Sequence, residues 1–258
     1  MIPSPTPLWL RAARLARMAV HLVQGLLTLA WMSSRTPRAR RERLIRAWDG
    51  KLLRIFGVHL TVDAPAGFER DAVQRLYIGN HISWLDIFVL QAVTAARFVA
   101  KSELARDLLV GRLIRESGTV FIERTRRADT RRINATLFEH LRDGDIIAVF
   151  PEGLTSDGRS VNKFHANLLQ AALDADAAIV PFCLRYTDAR GHFSDAAAFV
   201  GEMTLWQSLK RILRERSLHC ELTLFAPLDT TGRDRRQLAH AAQTLVQQRL
   251  QGHTRQDR

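Results

Sequence analysis

Residues 76–93 consist of an apolar run, a polar turn and a stretch in which apolar residues recur periodically. This order leaves few choices for the local fold. Residues 76–78 are Leu-Tyr-Ile, and residues 79–86 are Gly-Asn-His-Ile-Ser-Trp-Leu-Asp. From residue 87 to residue 93 the apolar side chains have helical spacing. The segment therefore predicts a buried strand, a tight turn and a helix. His81 would end the strand, and Asp86 would lie on the first turn of the helix.

The same alternation of apolar runs and helical periods continues along the chain from residue 57. Strands are predicted at residues 57–62, 73–78, 97–100, 119–122, 146–150, 177–186 and 218–225, and helices at residues 103–107, 109–116, 128–141, 164–173, 205–213 and 237–250. Strands that alternate with helices predict an α/β fold, with a mixed, largely parallel sheet flanked by helices. The 258 residues, 47% of them hydrophobic, can supply its core. We assign residues 57–258 to this domain.

Residues 1–56 predict an N-terminal membrane-attachment arm made of helices. Residues 18–32 are almost wholly apolar, but this run is shorter than the ~20 residues of a membrane-spanning helix. Trp9 and Trp31 stand near its ends, and tryptophan favours the headgroup level of a bilayer. Residues 44–56 have the spacing of a second amphipathic helix. Arginines lie on both sides of the apolar run, at positions 11, 14, 17, 35, 38, 40, 41, 43 and 46.

Positive charge on both sides favours a helix that lies on the membrane surface over one that crosses it. Arg11, Arg14 and Arg17 recur every third residue, which predicts that they share a narrow face of this helix. A secretory signal peptide would need a small-x-small cleavage site, which residues 29–33 do not supply. A single membrane span and a soluble helix packed on the domain are the remaining alternatives.

The charge balance indicates an anionic partner. Lys and Arg number 38 against 26 Asp and Glu, for a formal net charge of +12. Nucleic acid, a phospholipid surface and a phosphorylated substrate all fit that balance. The sequence contains no recognition helix, zinc finger or RNA-binding motif, and much of the charge lies beside the apolar N-terminal run, so we expect an anionic membrane and no nucleic acid. A basic membrane-binding protein without enzymatic activity is the alternative.

The two cysteines, Cys183 and Cys220, belong to no Cys-x-x-Cys pair and to no Cys/His metal pattern. We therefore predict no metal site. Buried, reduced thiols are the expected state of both side chains, as in a cytosolic environment, although a disulfide between them is the alternative.

His81 and Asp86 are the candidate catalytic pair. A histidine held by a carboxylate can act as a general base, and active sites of sheet proteins lie at the carboxyl ends of strands. Helix capping is the alternative role for the acid, because Ser83 and Asp86 form an S-x-x-D capping pattern. The two roles are compatible, since a capping carboxylate can also reach the imidazole.

Two later strand ends supply further candidates. Arg124 follows the apolar run at residues 120–122, and arginine is suited to bidentate phosphate binding. Glu152 follows the strand predicted at residues 146–150 and is placed to accept hydrogen bonds from a sugar or glycerol hydroxyl. Residues 153–160 also approach the phosphate-binding loop pattern of an NTPase. That reading is disfavoured, because an arginine replaces the expected lysine and the following residues start a helix poorly.

Together these stretches resemble the glycerolipid acyltransferases, the family of bacterial 1-acyl-glycerol-3-phosphate acyltransferases. The resemblance rests on four blocks that occur in the family's order within residues 76–186. They are Asn-His-x-x-x-x-Asp at Asn80, His81 and Asp86, Phe-Ile-x-Arg at Phe121, Ile122 and Arg124, Phe-Pro-Glu-Gly at residues 150–153, and an apolar stretch with a proline at Val180-Pro181. Any single block is weak, whereas the ordered set is specific.

The resemblance implies an O-acyltransferase of phospholipid biosynthesis that moves a fatty acyl group from acyl-CoA or acyl carrier protein to the free hydroxyl of a lysolipid. The enzyme would work at the cytoplasmic face of the inner (plasma) membrane, and no cofactor besides the thioester substrate is implied. His81 would be the general base, and Asp86 would orient it. The substrate-binding residues implied by the family are Asn80, Arg124 for the acceptor phosphate, Glu152 and Gly153.

The acceptor that the family implies is 1-acyl-sn-glycerol-3-phosphate, but two departures weaken this assignment. The family usually continues Glu-Gly with Thr-Arg, whose arginine also serves the phosphate, whereas this chain has Leu154-Thr155. The family's Lys-x-Gly before the next helix is replaced by Lys163-Phe164-His165. A different lysolipid, such as lyso-ornithine lipid or a lysophospholipid with a larger headgroup, is the alternative acceptor.

Overall fold

The computed structural model describes residues 6–31, 36–70, 72–101, 120–122 and 127–256. Its helices are α1 (Leu8–Trp31), α2 (Arg38–Phe56), α3 (Leu85–Thr94), α4 (Arg127–Arg142), α5 (Leu169–Asp174), α6 (Leu205–Arg214) and α7 (Arg235–Gln256). Its strands are β1 (Val58–Asp63), β2 (Arg75–Gly79), β3 (Arg97–Lys101), β4 (Val120–Ile122), β5 (Ile146–Val149), β6 (Ala178–Thr187) and β7 (Leu218–Leu224). A short 3-10 helix, Ala166–Leu168, precedes α5.

The seven strands form one sheet in the order β1-β7-β6-β2-β5-β3-β4. Every neighbouring pair is parallel except β6 and β7, which are antiparallel. The predicted mixed, largely parallel sheet is therefore confirmed. Because β2 lies between β5 and β6, the turn that follows β2 is flanked by the segments that follow β5 and by the continuing β6 strand.

Helices cover both faces of the sheet because its central strands are apolar on both sides. Leu76 and Ile78 of β2 pack in a core with α4, α5 and α7, whereas Tyr77 belongs to the core that contains α2, α3 and α6. All five residues of β2 are buried, which is typical of a central parallel strand. Cys183 and Cys220 are buried free thiols, as expected. The end of β2 is thus held between two packed layers.

The predicted elements are confirmed along most of the described chain, with two differences and one gap. Helices α1 and α2 begin earlier than the apolar spacing indicated, at Leu8 and Arg38. The helix predicted from residue 164 begins later, at Leu169, after the 3-10 helix; before it, the N–H of His165 binds the Pro151 carbonyl oxygen at 2.9 Å. The helices predicted at residues 103–107 and 109–116 lie outside the described residues.

The N-terminal arm is docked on the domain through polar contacts. Arg14 is buried and donates to the carbonyl oxygens of Glu215 and Arg216, at 2.8 Å each. The prediction that Arg11, Arg14 and Arg17 share one face is wrong: Arg14 is buried, while Arg17 is exposed. Residues three apart lie about 60° from one another around an α-helix, so the three arginines cover an arc of about 120°, wide enough for one to be buried and another exposed. Burial lowers the pKa of the Arg14 guanidinium.

Helix α2 joins the arm to the main core. His21 of α1 stacks on Trp48 of α2 with ring centroids 4.6 Å apart, and the His21 Nε2 lies 2.9 Å from the Trp48 carbonyl oxygen. At the other end of α2, Leu52, Leu53 and Phe56 are buried in the core cluster that contains α3 and α6. Helix α2 therefore shares the core of the domain that follows it.

Candidate active site

The turn after β2 is held by close backbone packing. Gly79 lies opposite Phe182 of β6, and a Cβ atom on Gly79 would lie 2.3 Å from the Phe182 carbonyl oxygen, so no larger residue fits. The Asn80 side chain then accepts the N–H of Leu184 at 2.8 Å and donates to the Leu184 carbonyl oxygen at 2.9 Å. This amide continues the strand pairing for one more residue. It thereby fixes the position of the backbone just before His81.

His81 and Asp86 form a hydrogen-bonded pair, with 2.9 Å between the imidazole Nδ1 and the carboxylate Oδ2. Because an ionised carboxylate can only accept, Nδ1 carries the proton and Nε2 keeps its lone pair. The His81 side chain is 19% exposed, whereas that of Asp86 is 0% exposed. The structure thus brings the two predicted catalytic residues together in the tautomer that a general base needs.

The buried carboxylate of Asp86 accepts four hydrogen bonds. Its Oδ2 accepts the backbone N–H groups of Ile82 at 2.7 Å and Ser83 at 2.9 Å in addition to the His81 ring. Its Oδ1 accepts the Tyr186 hydroxyl at 2.8 Å. Donors of this number stabilise an ionised carboxylate away from water. Asp86 therefore satisfies N–H groups just before α3 and orients His81 at the same time, as the sequence allowed.

Phe150 lies flat against the His81 ring, with centroids 3.7 Å apart and an angle of 7° between the planes. Phe98 stacks with Phe150 at 5.6 Å, and Phe182 meets it edge-on at 5.9 Å, so the ring is held in place. An aromatic face attracts a cation. The stack therefore favours the imidazolium that forms when His81 takes a proton.

Two side chains at this site carry no role in the sequence analysis. Phe150 entered only as part of a family block, and its stacking on His81 depends on the adjacency of β2 and β5. Tyr186 entered only as a strand residue, and it lies 100 positions from Asp86 in the chain. No local pattern could have connected that tyrosine to the acid.

Glu152, in the segment that follows β5, stabilises the turn that contains His81. Its Oε1 accepts the backbone N–H of His81 at 2.8 Å, and its Oε2 accepts that of Asn162 at 2.8 Å. Burial raises the pKa of the Glu152 carboxyl, and the two N–H donors oppose this rise. Direct contact of Glu152 or Gly153 with an acceptor stays a prediction. Asn80 is 0% exposed, so any effect on substrate would act through the turn that it holds.

The residues that follow Gly153 hold the catalytic turn from a second side. Ser156 donates its N–H and its hydroxyl to the His81 carbonyl oxygen, at 2.8 and 3.2 Å. The Thr155 hydroxyl donates to the backbone of Phe199, in the segment that leads to α6. No helix begins within residues 154–165. The phosphate-binding loop of an NTPase is thereby excluded, because it needs a helix N-terminus at the phosphate.

Arg124, the predicted phosphate ligand, lies outside the described residues, and its role stays a prediction. Strand β4, which ends at Ile122, is the edge strand of the sheet and is separated from β2 by β3 and β5. Over the ranges that the structure covers, no three His, Cys, Asp or Glu side chains are grouped so that they could hold a metal ion.

Residues 67–185 match the family model described as Acyltransferase. Over 254 residues the chain is 36% identical to the lyso-ornithine lipid O-acyltransferase of Pseudomonas aeruginosa, an alignment that covers 95% of this chain and 94% of the relative. Over 181 residues it is 36% identical to the 1-acyl-sn-glycerol-3-phosphate acyltransferase of Neisseria meningitidis, covering 70% of each. The fold is similar to the crystal structure of the 1-acyl-sn-glycerophosphate acyltransferase PlsC from Thermotoga maritima, with a TM-score of 0.71, 19% identity and 95% of both chains covered.

Proposed function

The chain belongs to the acyltransferase family whose members include lysolipid O-acyltransferases, and from this premise we propose that it acylates the free hydroxyl of lyso-ornithine lipid at a membrane surface. This membership confirms the resemblance drawn from the four sequence blocks. The single observation behind the mechanism is the His81–Asp86 pair at the end of β2, in which Nδ1 is held and Nε2 keeps its lone pair.

His81 acts as the general base in the proposed reaction. The acceptor hydroxyl oxygen attacks the carbonyl carbon of acyl-CoA or acyl carrier protein thioester while the His81 Nε2 takes the hydroxyl proton. Asp86 stabilises the imidazolium at Nδ1, and the ring face of Phe150 adds to this effect. The C–S bond then breaks, and His81 returns the proton to the thiolate, which leaves an ester and a free thiol. No enzyme nucleophile is required, and the sequence has no G-x-S-x-G elbow.

Two observations support lyso-ornithine lipid as the acceptor. Four relatives of that name align with 95%, 90%, 86% and 66% of this chain, and the first three exceed the 70% that the two Neisseria phosphate-acceptor enzymes cover. Thr155, which stands where the family's second phosphate-binding arginine would be, binds a backbone carbonyl instead. An ornithine headgroup carries a carboxylate and no phosphate. The second candidate acceptor is 1-acyl-sn-glycerol-3-phosphate, which the 36% identity to the Neisseria meningitidis enzyme favours.

An acceptor panel tests the proposal. With detergent-solubilised protein and either thioester, we expect kcat/KM for lyso-ornithine lipid to exceed that for 1-acyl-sn-glycerol-3-phosphate by about tenfold or more, measured as release of free thiol. The Arg124→Ala variant should raise KM for the phosphate-bearing acceptor and leave the phosphate-free acceptor unchanged. An equal loss with both acceptors would contradict the phosphate role of Arg124. The opposite preference of the unmodified protein would reject lyso-ornithine lipid.

Helix α1 supports attachment to an anionic membrane, at the cytoplasmic face of the inner membrane in this proposal. Its solvent-facing side forms an apolar stripe, which we define as the exposed residues Trp9, Ala12, Ala16, Val20, Val23, Leu27 and Trp31. The buried side of the helix contains Arg14, His21 and Gly25. No helix in the described ranges has both the length and the apolar character needed to cross a bilayer. An exposed apolar stripe with tryptophan at both ends fits a helix that lies in the membrane interface.

Charges placed in the apolar stripe should release the protein from membranes. We expect the double variant Val20→Asp/Val23→Asp to lose co-sedimentation with anionic phospholipid vesicles, because carboxylates are repelled by anionic lipid and resist burial among acyl chains. Thr28→Asp is the matched control, because it adds a negative charge at an exposed position beside the stripe and should retain binding. Undiminished sedimentation of the double variant would show that the stripe does not attach the protein.

A further inference from the structure

Tyr186 lies where β6 runs past the end of β2. Strand β6 pairs with β2 as far as Phe182, opposite Gly79, and then continues to Thr187 alongside β7. Alternate residues of β6 belong to the core that contains α3, namely Val180, Phe182, Leu184 and Tyr186. The extension of β6 therefore places Tyr186, which is 1% exposed, over the start of α3.

The Tyr186 hydroxyl binds Oδ1 of Asp86, whereas the groups of the catalytic turn bind Oδ2. Three of the four hydrogen bonds to this carboxylate end on Oδ2, from the His81 ring and from the backbone N–H groups of Ile82 and Ser83. Tyr186 donates to Oδ1, and within the described ranges it is the one donor there. A carboxylate held through one oxygen can still pivot about it. A donor on the second oxygen sets its plane and thereby the direction of the bond to His81.

Tyr186 remains a donor because it keeps its proton. Burial, followed by the charge of Asp86, raises the pKa of Tyr186 well above its usual range. Cys220 faces Tyr186 across the β6–β7 pair. Burial also raises the pKa of the Cys220 thiol, so the thiol stays protonated. Tyr186 is therefore the donor and the Asp86 carboxylate the acceptor in the bond between them.

We propose that Tyr186 is a positioning residue for acyl transfer: it fixes the Asp86 carboxylate, and through it the His81 ring, without touching substrate. This inference rests on the proposed function of His81 as the general base.

The Tyr186→Phe variant removes this donor and keeps the ring. We expect kcat to fall about tenfold, since one hydrogen bond to a charged group is lost, while KM for the acceptor stays unchanged. The acid limb of the kcat/KM profile should shift as well, because the Asp86 carboxylate that holds the His81 ring loses a donor, a change that lost packing alone would not produce. Tyr77→Phe is the matched control, because it removes the hydroxyl of a buried tyrosine in the same core, and this hydroxyl is not among the four donors to Asp86. Wild-type kcat and an unmoved acid limb in Tyr186→Phe would overturn the proposal, even if its Tm falls.

A spectroscopic readout tests the same role without removing the hydroxyl. The chain has two tyrosines, so the Tyr77→Phe protein labelled with 3-fluorotyrosine carries fluorine at position 186 alone. We expect its ¹⁹F resonance to titrate with the midpoint of the acid limb, and this titration to disappear in the His81→Gln protein. A resonance that stays constant while activity titrates would overturn the positioning role. Absence of acyl transfer by the wild-type protein would instead overturn the proposed function, so the two failures are distinguishable.

Discussion

Replacement of His81 by alanine should lower kcat by about a thousandfold, the largest loss of activity expected from a single side chain in this protein. The imidazole is the one group at the end of β2 that has a free lone pair, a carboxylate partner at 2.9 Å and an aromatic face at 3.7 Å. Without it, no base takes the acceptor proton as the oxygen attacks. The measurement is thiol release at saturating acceptor. KM should change little, because the loss affects the transition state more than binding.

The chain contains a matched control for this experiment. His140 and Asp145 are also five residues apart, and their Nδ1 and Oδ2 atoms are 2.8 Å apart. Asp145 precedes β5 at the amino-terminal edge of the sheet, where its carboxylate also pairs with Arg38 at 3.3 Å and Arg97 at 3.2 Å. His140→Ala should therefore leave kcat close to that of the wild type. Full activity of His81→Ala, or an equal loss in both variants, would contradict the assignment of the general base.

The Gly79→Ala variant should show the largest loss of stability among single-methyl additions. The new Cβ would lie 2.3 Å from the carbonyl oxygen of Phe182, a backbone atom in the paired strand that cannot rotate away. This contact can be relieved only if β2 and β6 separate, which should lower the free energy of unfolding by about 3 kcal/mol. For a chain of this length we expect Tm to fall by about 6–12 °C, measured by thermal unfolding. Activity should fall as well, because the strands that position His81 and Tyr186 move apart.

Gly50→Ala is the control for adding a methyl group. Gly50 lies within α2, and a Cβ there meets no atom within 4 Å. Alanine also has the higher helix propensity, so this variant should be as stable as the wild type or more stable by about 0.5–1 kcal/mol. A Tm for Gly79→Ala equal to that for Gly50→Ala would show that the approach of Gly79 to β6 is looser than the structure indicates.

Local patterns predicted the strand ends well, because apolar runs end where the chain leaves the sheet. They placed His81 and Glu152 each after a predicted strand, and the structure makes those strands neighbours and joins the two residues through the 2.8 Å bond from the His81 N–H to the Glu152 carboxylate. The five-residue spacing by itself could not distinguish the His81–Asp86 pair from the His140–Asp145 pair, whereas their positions after and before a predicted strand did. Spacing alone does not reveal which edge of the sheet a pair occupies, or which charges surround it.

The arm shows the same limit. Helical spacing predicted an amphipathic segment, and its apolar members do form an exposed stripe. Arg14 has the same chemistry as Arg17, yet it is buried against the carbonyl oxygens of Glu215 and Arg216, roughly two hundred positions away. Whether an arginine of α1 is exposed or buried against a helix end depends on where α6 ends in space.

The sequence by itself determined the order of strands and helices, the position of His81 at a strand end and membership of the acyltransferase family. Each of these depends on periodicity or spacing within short segments. Only the tertiary structure decided how the strands lie side by side in the sheet, the stacking of Phe150 on His81 and the hydrogen bond from Tyr186 to Asp86. The physical reason is that these contacts join segments 69 to 100 residues apart, which meet through strand pairing and packing and leave no trace in local composition.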